Sequence, residues 1–305
     1  MKIAFLFAGQ GAQKIGMGAD LYRDFPRARE IYDSIDLDFD VKKLCFEGPA
    51  ELLNDTAFAQ SCIVATSLAT ANILKEAGIK PDYVAGLSLG EYSALAFAEA
   101  MTAGDACRIA RRRGRIMADA LPAGTSKMVA VMAMDEEKIL EACQAVQAKG
   151  MCSVANYNAP GQIVITGENR AVDRAVELLK AEGLRRAIPL NVSGRFHSPL
   201  LENASCKLAD VLSEYNICQP EIPVVYNVTG SESGMPVPQL LTQQIKSSVR
   251  FMQSVEYMLA QGVDTFIEIG PGNTLAGFVR RIDRNVTVST AENTQSVQKI
   301  LEVLK

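Results

Sequence analysis

Apolar residues in this chain gather into a few short solid runs separated by longer stretches with helical spacing. Residues 2–7 form one such run and read as a strand buried on both faces. A second, residues 83–85, leads straight into Gly86-Leu87-Ser88-Leu89-Gly90. Around them the apolar period lengthens: residues 60–77 predict a long apolar helix, 91–100 another, and 105–120 a third with a strongly basic face. Strands alternating with helices predict an α/β fold whose mainly parallel sheet is covered on both sides.

From residue 127 the texture changes. Residues 128–134 read as a strand, 135–148 as a helix opened by acidic residues, 152–157 and 162–166 as strands, 171–181 as a helix and 187–192 as a strand. The order β-α-β-β-α-β is that of a ferredoxin-like unit. It predicts a small domain at 124–192 inserted into a large one made of 1–123 and 193–305, with Pro122-Ala123-Gly124 and Ser193-Gly194 as hinges. The α/β pattern then resumes with a helix at 199–215, a strand at 224–228, a helix at 251–260 and a strand at 265–269. Gly270-Pro271-Gly272 and a helix at 273–282 follow.

Composition narrows the class. The chain has 305 residues, 48% of them hydrophobic and 22% charged, enough to bury a sizeable core. No apolar run approaches the roughly 18 residues of a membrane span. The apolar start ends at Gly9 and Gln10, so it reads as a first strand and not as a signal peptide. Seven scattered cysteines without a CxxC pair suit the reduced thiols of a cytoplasmic protein. With one histidine and no cysteines at ligand spacing, a metal site has little to be built from. The net charge of −4 weighs against broad nucleic-acid binding.

Gly86-x-Ser88-x-Gly90 stands between a predicted strand and a predicted helix, where a nucleophile elbow requires it: a strained turn with small neighbours that leaves the hydroxyl clear. The helix that follows directs its free amides and positive end at the turn, which suits an oxyanion forming beside Ser88. A serine hydroxyl needs a base that works near neutral pH, and His197 is the one imidazole in the chain. No spacing singles out a triad acid, and a backbone or amide carbonyl is an alternative partner for the imidazole. Gly9-Gln10-Gly11 after the first strand invites a dinucleotide reading, but Lys14 stands where the third glycine belongs. Gln10 offers an amide to the same oxyanion instead. Of Arg111, Arg112, Arg113 and Arg115 on one predicted helix, most read as a solvated face. A single arginine turned inward would grip a substrate carboxylate with two parallel hydrogen bonds.

Six segments in order complete the picture: Gly9-Gln10-Gly11-Ala12-Gln13, Gly86-Leu87-Ser88-Leu89-Gly90-Glu91, Arg113-Gly114-x-x-Met117, Asn156-x-Asn158-x-Pro160-Gly161-Gln162, Phe196-His197-Ser198 and Gly270-Pro271-Gly272. With them the chain resembles the malonyl-CoA:acyl carrier protein transacylase family over nearly its whole length. The resemblance implies an α/β-hydrolase-like large domain with an inserted ferredoxin-like one. It also implies a cytoplasmic enzyme that moves malonyl from malonyl-CoA to the phosphopantetheine thiol of acyl carrier protein, with no cofactor, nucleic acid or membrane involved.

Position by position, the resemblance implies Ser88 as nucleophile, His197 as base, Arg113 as the grip on the malonyl carboxylate, and the amides of Gln10 and Leu89 as oxyanion hole. Asn156 falls near the site, and the main-chain carbonyl of Arg250 falls where the family orients its histidine. Phe196 and Leu89 are the residues that would favour malonyl over methylmalonyl. Two positions depart from the family: Leu87 replaces the usual histidine before the serine, and Ala8 replaces a common proline. The competing readings are a serine esterase or thioesterase, a trans-acting acyltransferase of polyketide synthesis, and a nucleotide-binding module built on Gly9-x-Gly11.

Overall fold

The computed structural model describes residues 1–120, 124–190 and 196–304. The chain opens with β1 (Ile3–Phe7), passes through four short helices, α1 (Ala19–Asp24), α2 (Pro26–Asp33), α3 (Val41–Glu47) and α4 (Ala50–Asn54), and reaches the long α5 (Thr56–Glu76). β2 (Tyr83–Gly86), α6 (Gly90–Phe97) and α7 (Ala103–Asp119) follow. The middle of the chain is β3 (Ser126–Met132), α8 (Glu136–Ala145), β4 (Cys152–Ala159), β5 (Gln162–Glu168), α9 (Asn169–Ala181) and β6 (Arg186–Pro189). It closes with α10 (Glu202–Ser213), β7 (Val224–Val225), α11 (Val237–Gln244), α12 (Phe251–Ala260), β8 (Thr265–Ile269), α13 (Thr274–Ile282), β9 (Thr287–Ala291) and α14 (Thr294–Leu304).

These strands make two sheets. The first, ordered β7-β2-β1-β8-β9, is parallel throughout. Every residue of β1 is buried, as its solid apolar run predicts for the centre of a parallel sheet. The strand order leaves β1 in both directions, so the loops after β1 and β2 lie at the carboxyl edge beside the switch point, where open α/β sheets hold ligands. The second sheet, ordered β4-β5-β3-β6, is antiparallel. With α8 and α9 it buries its own apolar core, including Val131, Ile139, Ile165, Val172 and Leu179. This is the ferredoxin-like arrangement expected from the element order. Of the expected hinge residues, Gly124 has a left-handed φ of 76°. Pro122, Ala123, Ser193 and Gly194, with the end of the strand expected at 187–192, lie outside the described residues.

Several elements differ from expectation. The four helices between β1 and α5 are five to eight residues long, too short to repeat an apolar period. β9 is mostly half-exposed and rich in threonine, so it shows no apolar run. The strand expected at 224–228 shortens to two residues because Asn227 leaves the sheet for contacts described below. By length and composition α5 passes as a membrane-spanning helix, which a search for solid runs misses because Gln, Ser, Thr and Asn interrupt it. Within its most apolar window 83% of the residues are buried inside the protein.

Two packing constraints place the site. α5 starts on Asp55, whose carboxylate accepts the Ala57 amide at 2.8 Å, and α7 starts on Thr102, whose hydroxyl accepts the Asp105 amide at 3.0 Å. The two helices then touch at Gly114, where a β-carbon would stand 2.4 Å from the Thr56 carbonyl oxygen. At the end of β2, a β-carbon on Gly86 would stand 1.9 Å from the Gly90 carbonyl carbon, and one on Gly90 would stand 2.0 Å from the Phe7 carbonyl oxygen. Only glycine lets the first turn of α6 lie this close to β1 and β2.

Gly90→Ala is therefore expected to destabilise the protein by about 1–3 kcal/mol through overpacking. Gly277→Ala, in α13 where a β-carbon meets nothing within 4 Å, is expected to be neutral or to stabilise by up to about 1 kcal/mol through helix propensity. Urea unfolding of the two variants side by side checks the contrast; equal midpoints would mean that the turn tolerates a side chain.

Candidate active site

Ser88 sits on the turn between β2 and α6 with φ of 53°, in the left-handed region that a residue with a β-carbon rarely enters. Asn227 holds it there. The side-chain oxygen of Asn227 accepts the Ser88 amide at 2.7 Å, and its side-chain nitrogen donates to the Gly86 carbonyl at 2.6 Å. The Asn227 amide in turn donates to the Glu91 carboxyl at 2.6 Å. Glu91 is fully enclosed, and burial pushes its pKa up to about 8. At neutral pH it is mostly uncharged, a hydrogen-bonding strut behind the turn.

His197 reaches Ser88 from the far side of the chain, with Nε2 2.7 Å from the serine Oγ. Its Nδ1 lies 2.9 Å from the main-chain oxygen of Gln244. A carbonyl only accepts, so Nδ1 carries the proton and Nε2 presents its lone pair to the serine hydroxyl. This corrects the expectation for Arg250. The Arg250 carbonyl is taken by Ser254, whose amide and hydroxyl both donate to it at 2.9 Å, because Arg250 caps the start of α12. Its amide donates to the Asn227 carbonyl at 2.9 Å, and its guanidinium lies over the Tyr157 ring. Burial, reinforced by the charge of Arg113, lowers the His197 pKa to about 4. The imidazole is neutral in the resting protein.

Arg113 lies on α7, buried to 1% exposure. Its Nη1 donates to the Gln60 side chain at 2.9 Å, and its Nη2 to the Gln244 side chain at 3.1 Å and to Ser88 Oγ at 3.2 Å. The guanidinium rests over the Tyr92 ring at 5.2 Å, and Nε makes no hydrogen bond of good geometry among the described residues. Among the described residues no carboxylate pairs with it in a salt bridge, and burial pulls its pKa below the usual arginine range. A buried cation without a counter-charge is costly, and an anionic ligand relieves that cost. The other three arginines are spoken for: Arg112 by Glu214, Arg115 by Asp38, and Arg111 by Asp38 together with the rings of Phe58 and Phe39. Arg111 is also buried, so two of the four turn inward, and only Arg113 faces the serine.

The amides of Gln10 and Leu89, at the ends of β1 and β2, take no hydrogen-bond partner among the described residues. The Gln10 side chain is tied elsewhere, donating to Thr56 at 2.9 Å and accepting from Gln60 at 3.0 Å. Phe196 is buried in the large core beside His197. Asn156 lies in β4 with no hydrogen bond to Ser88, His197 or Arg113 among the described residues. Its strand is joined to the loop before α12 by a pair of bonds, Val249 amide to Ala155 carbonyl and Tyr157 amide to Val249 carbonyl, at 2.8 and 2.9 Å. A cleft of about 580 Å³ opens between that loop and the small sheet and reaches His197, with Tyr157, Lys246 and Arg250 on its walls. Among the described residues no group of three or more His, Cys, Asp or Glu side chains is placed to hold a metal ion.

Sequence reading missed Asn227, Gln244, Glu91 and Gln60. Asn227 had a usable signal, since it follows a strand at the carboxyl edge where sites collect. Gln60 had one too, as a polar residue inside an apolar helix. Gln244, at the end of α11, had none.

Fold and site together define an α/β enzyme with a serine–histidine pair and a buried arginine within reach of the serine. Residues 4–300 match the family model described as acyl transferase domain, and the chain belongs to that family of acyltransferases. It is similar to the malonyl CoA-acyl carrier protein transacylase of Bacillus subtilis (strain 168), at 42% identity over 309 residues covering 100% of this chain and 98% of the relative. The crystal structure of malonyl CoA-acyl carrier protein transacylase from Clostridium perfringens superposes with a TM-score of 0.97 at 42% identity, covering 100% of this chain and 97% of that one. A type II polyketide synthase acyl carrier protein in complex with its malonyl-transacylase matches with a TM-score of 0.96 at 37% identity, covering 99% and 100%.

The depressed pKa of His197 has two consequences. The folded value is about 4 and the unfolded one 6.5, so between these limits the unfolded chain binds more protons. The stability tied to a neutral His197 is present in full above pH 6.5 and is lost as pH falls toward 4. The pH dependence of Ser88 modification by a neutral sulfonyl fluoride should therefore turn over near pH 4; a midpoint at 6.5 or above would contradict a buried, arginine-facing imidazole.

Proposed function

We propose that the chain transfers malonyl from malonyl-CoA to the phosphopantetheine thiol of acyl carrier protein through a malonyl ester on Ser88, in two half-reactions. The observation that carries this reading is the convergence on one oxygen: Ser88 Oγ has the His197 Nε2 at 2.7 Å and the Arg113 Nη2 at 3.2 Å. The relatives named malonyl CoA-acyl carrier protein transacylase support the choice of substrate and acceptor.

In the first half, His197 Nε2 takes the Ser88 proton as Oγ bonds to the thioester carbonyl carbon. The carbonyl oxygen becomes an oxyanion held by the amides of Gln10 and Leu89, which are free to donate. The carbon–sulfur bond breaks, and the coenzyme A thiolate leaves with the proton from His197. The second half reverses these steps with the carrier's thiol as nucleophile. The free carboxylate of a malonyl ester stands one methylene beyond the ester carbonyl, close enough for Arg113 to bind it while staying beside Ser88. Phe196 and Leu89 enclose the acyl group, and Asn156 braces the wall that carries Tyr157. The chemistry as written uses no metal or redox cofactor and no nucleic-acid or membrane partner. The free cysteines of the described residues suit the cytoplasm.

Brief incubation with malonyl-CoA should add one malonyl mass to the peptide containing Ser88, and Ser88→Ala should abolish the adduct. Arg113→Ala is expected to lower kcat/KM for malonyl-CoA on the order of a hundredfold, the scale of breaking a buried charge pair, while transfer of an uncharged acetyl group is spared or improved. Equal losses for both acyl groups would remove Arg113 from substrate recognition. Thioester cleavage at the same rate with and without carrier protein would favour a hydrolase.

A further inference from the structure

The small sheet carries a feature that acyl transfer does not use. Cys143 on α8 and Cys152, the first residue of β4, bring their sulfur atoms to 3.5 Å of each other. A single side chain fixes the backbone of both: the Gln147 side-chain nitrogen donates to the Cys143 carbonyl at 3.0 Å and to the Cys152 carbonyl at 2.8 Å. Both cysteines line the same 580 Å³ cleft that reaches His197. The other buried cysteines, Cys45, Cys62 and Cys107, are packed in the large core and line no part of that cleft.

We infer that Cys143 and Cys152 are a redox-active dithiol, oxidised to an intramolecular disulfide by a hydroperoxide that enters the cleft. The sulfur atoms need approach by only about 1.5 Å to reach the ~2.05 Å of a disulfide bond. The two sulfur atoms share a hydrogen bond in which either can donate; with Cys143 as donor, the pKa of Cys152 is lowered and that of Cys143 raised, and Cys152 ionises first. Its thiolate attacks the peroxide oxygen, the O–O bond breaks, and the released oxygen takes a proton to leave as water or alcohol. Cys143 then attacks the sulfur of the Cys152 sulfenic acid and expels its hydroxyl as a second water. Two thiols each lose one electron and one proton, and the peroxide accepts both pairs. The bond ties α8 to the start of β4, the strand that pairs with Val249 on the opposite wall of the cleft.

Hydrogen peroxide on the folded full-length protein, followed by acid quench, alkylation and peptide mapping, tests this. Cleavage after Lys149 separates the two cysteines, so the disulfide appears as a linked peptide pair that dithiothreitol splits. In a Cys206→Ser/Cys218→Ser variant, which lacks the two exposed thiols, the free-thiol count should fall by two while circular dichroism stays native. Cys143→Ala should lose the link and leave a sulfenic acid on Cys152 that dimedone traps. Wild-type protein that keeps both thiols reduced while Cys206 and Cys218 oxidise, or that forms the link only once unfolded, would overturn the inference.

Discussion

The close approach of the first turn of α6 to the ends of β1 and β2 is the constraint on which the site depends. It is permitted by two missing β-carbons, at Gly86 and Gly90, and it forces Ser88 between them into the left-handed region. A residue other than glycine in that conformation costs about 1–3 kcal/mol, which the surroundings must offset. Asn227 does so from a distant part of the chain, bonding to the amide of Ser88 and the carbonyl of Gly86 at once. The turn is thus held on one side by packing against the Phe7 carbonyl and on the other by an amide clamp. The amide of Leu89 and the hydroxyl of Ser88 are left without backbone obligations.

Among the described residues no carboxylate hydrogen-bonds to His197, and the charge that acts on it is that of Arg113. Under the proposed reaction, an acid placed to orient the imidazole would add a negative charge close to the buried guanidinium and compete with the substrate anion for it. The Gln244 carbonyl fixes the imidazole tautomer without adding charge. The side chain of the same residue accepts from Arg113 and donates to the Ser88 carbonyl. One residue thereby sets the mutual positions of base, serine and arginine. His197 itself has a positive φ of 59°, so it shares the left-handed backbone of the serine it meets.

Solid apolar runs and long amphipathic periods made the two sheets and the order of the large elements legible, because each is a local consequence of burial on a known period. The elbow was legible for the same reason: its glycines and serine are neighbours in sequence. Asn227 and Gln244 act over separations of 139 and 156 residues from Ser88, and nothing in their immediate neighbours records that. The exchange of Arg250 for Gln244 is instructive. The carbonyl beside the imidazole is that of Gln244, while the Arg250 carbonyl belongs to the first turn of α12, a helix already expected to begin at residue 251. A carbonyl at a helix start is committed to that helix, whereas the carbonyl of Gln244, at the end of α11, accepts only a long 3.4 Å bond from the Ser247 amide and stays open to His197.

Charge balance links recognition to chemistry under the proposed reaction. In the resting protein His197 is held down first by burial and then by the positive charge of Arg113, which opposes a second cation nearby. Glu91, kept largely neutral by its own burial, offsets the Arg113 charge only in part. When a carboxylate binds Arg113, that repulsion is cancelled and the imidazole becomes a stronger base, closer to the pH at which general-base catalysis is most effective. An uncharged acyl group leaves the repulsion in place. Under the proposed reaction the arginine would therefore discriminate twice, by holding a charged acyl group and by raising the proton affinity of the base only when such a group is present. An acid-oriented imidazole would be raised permanently and would lose the second effect.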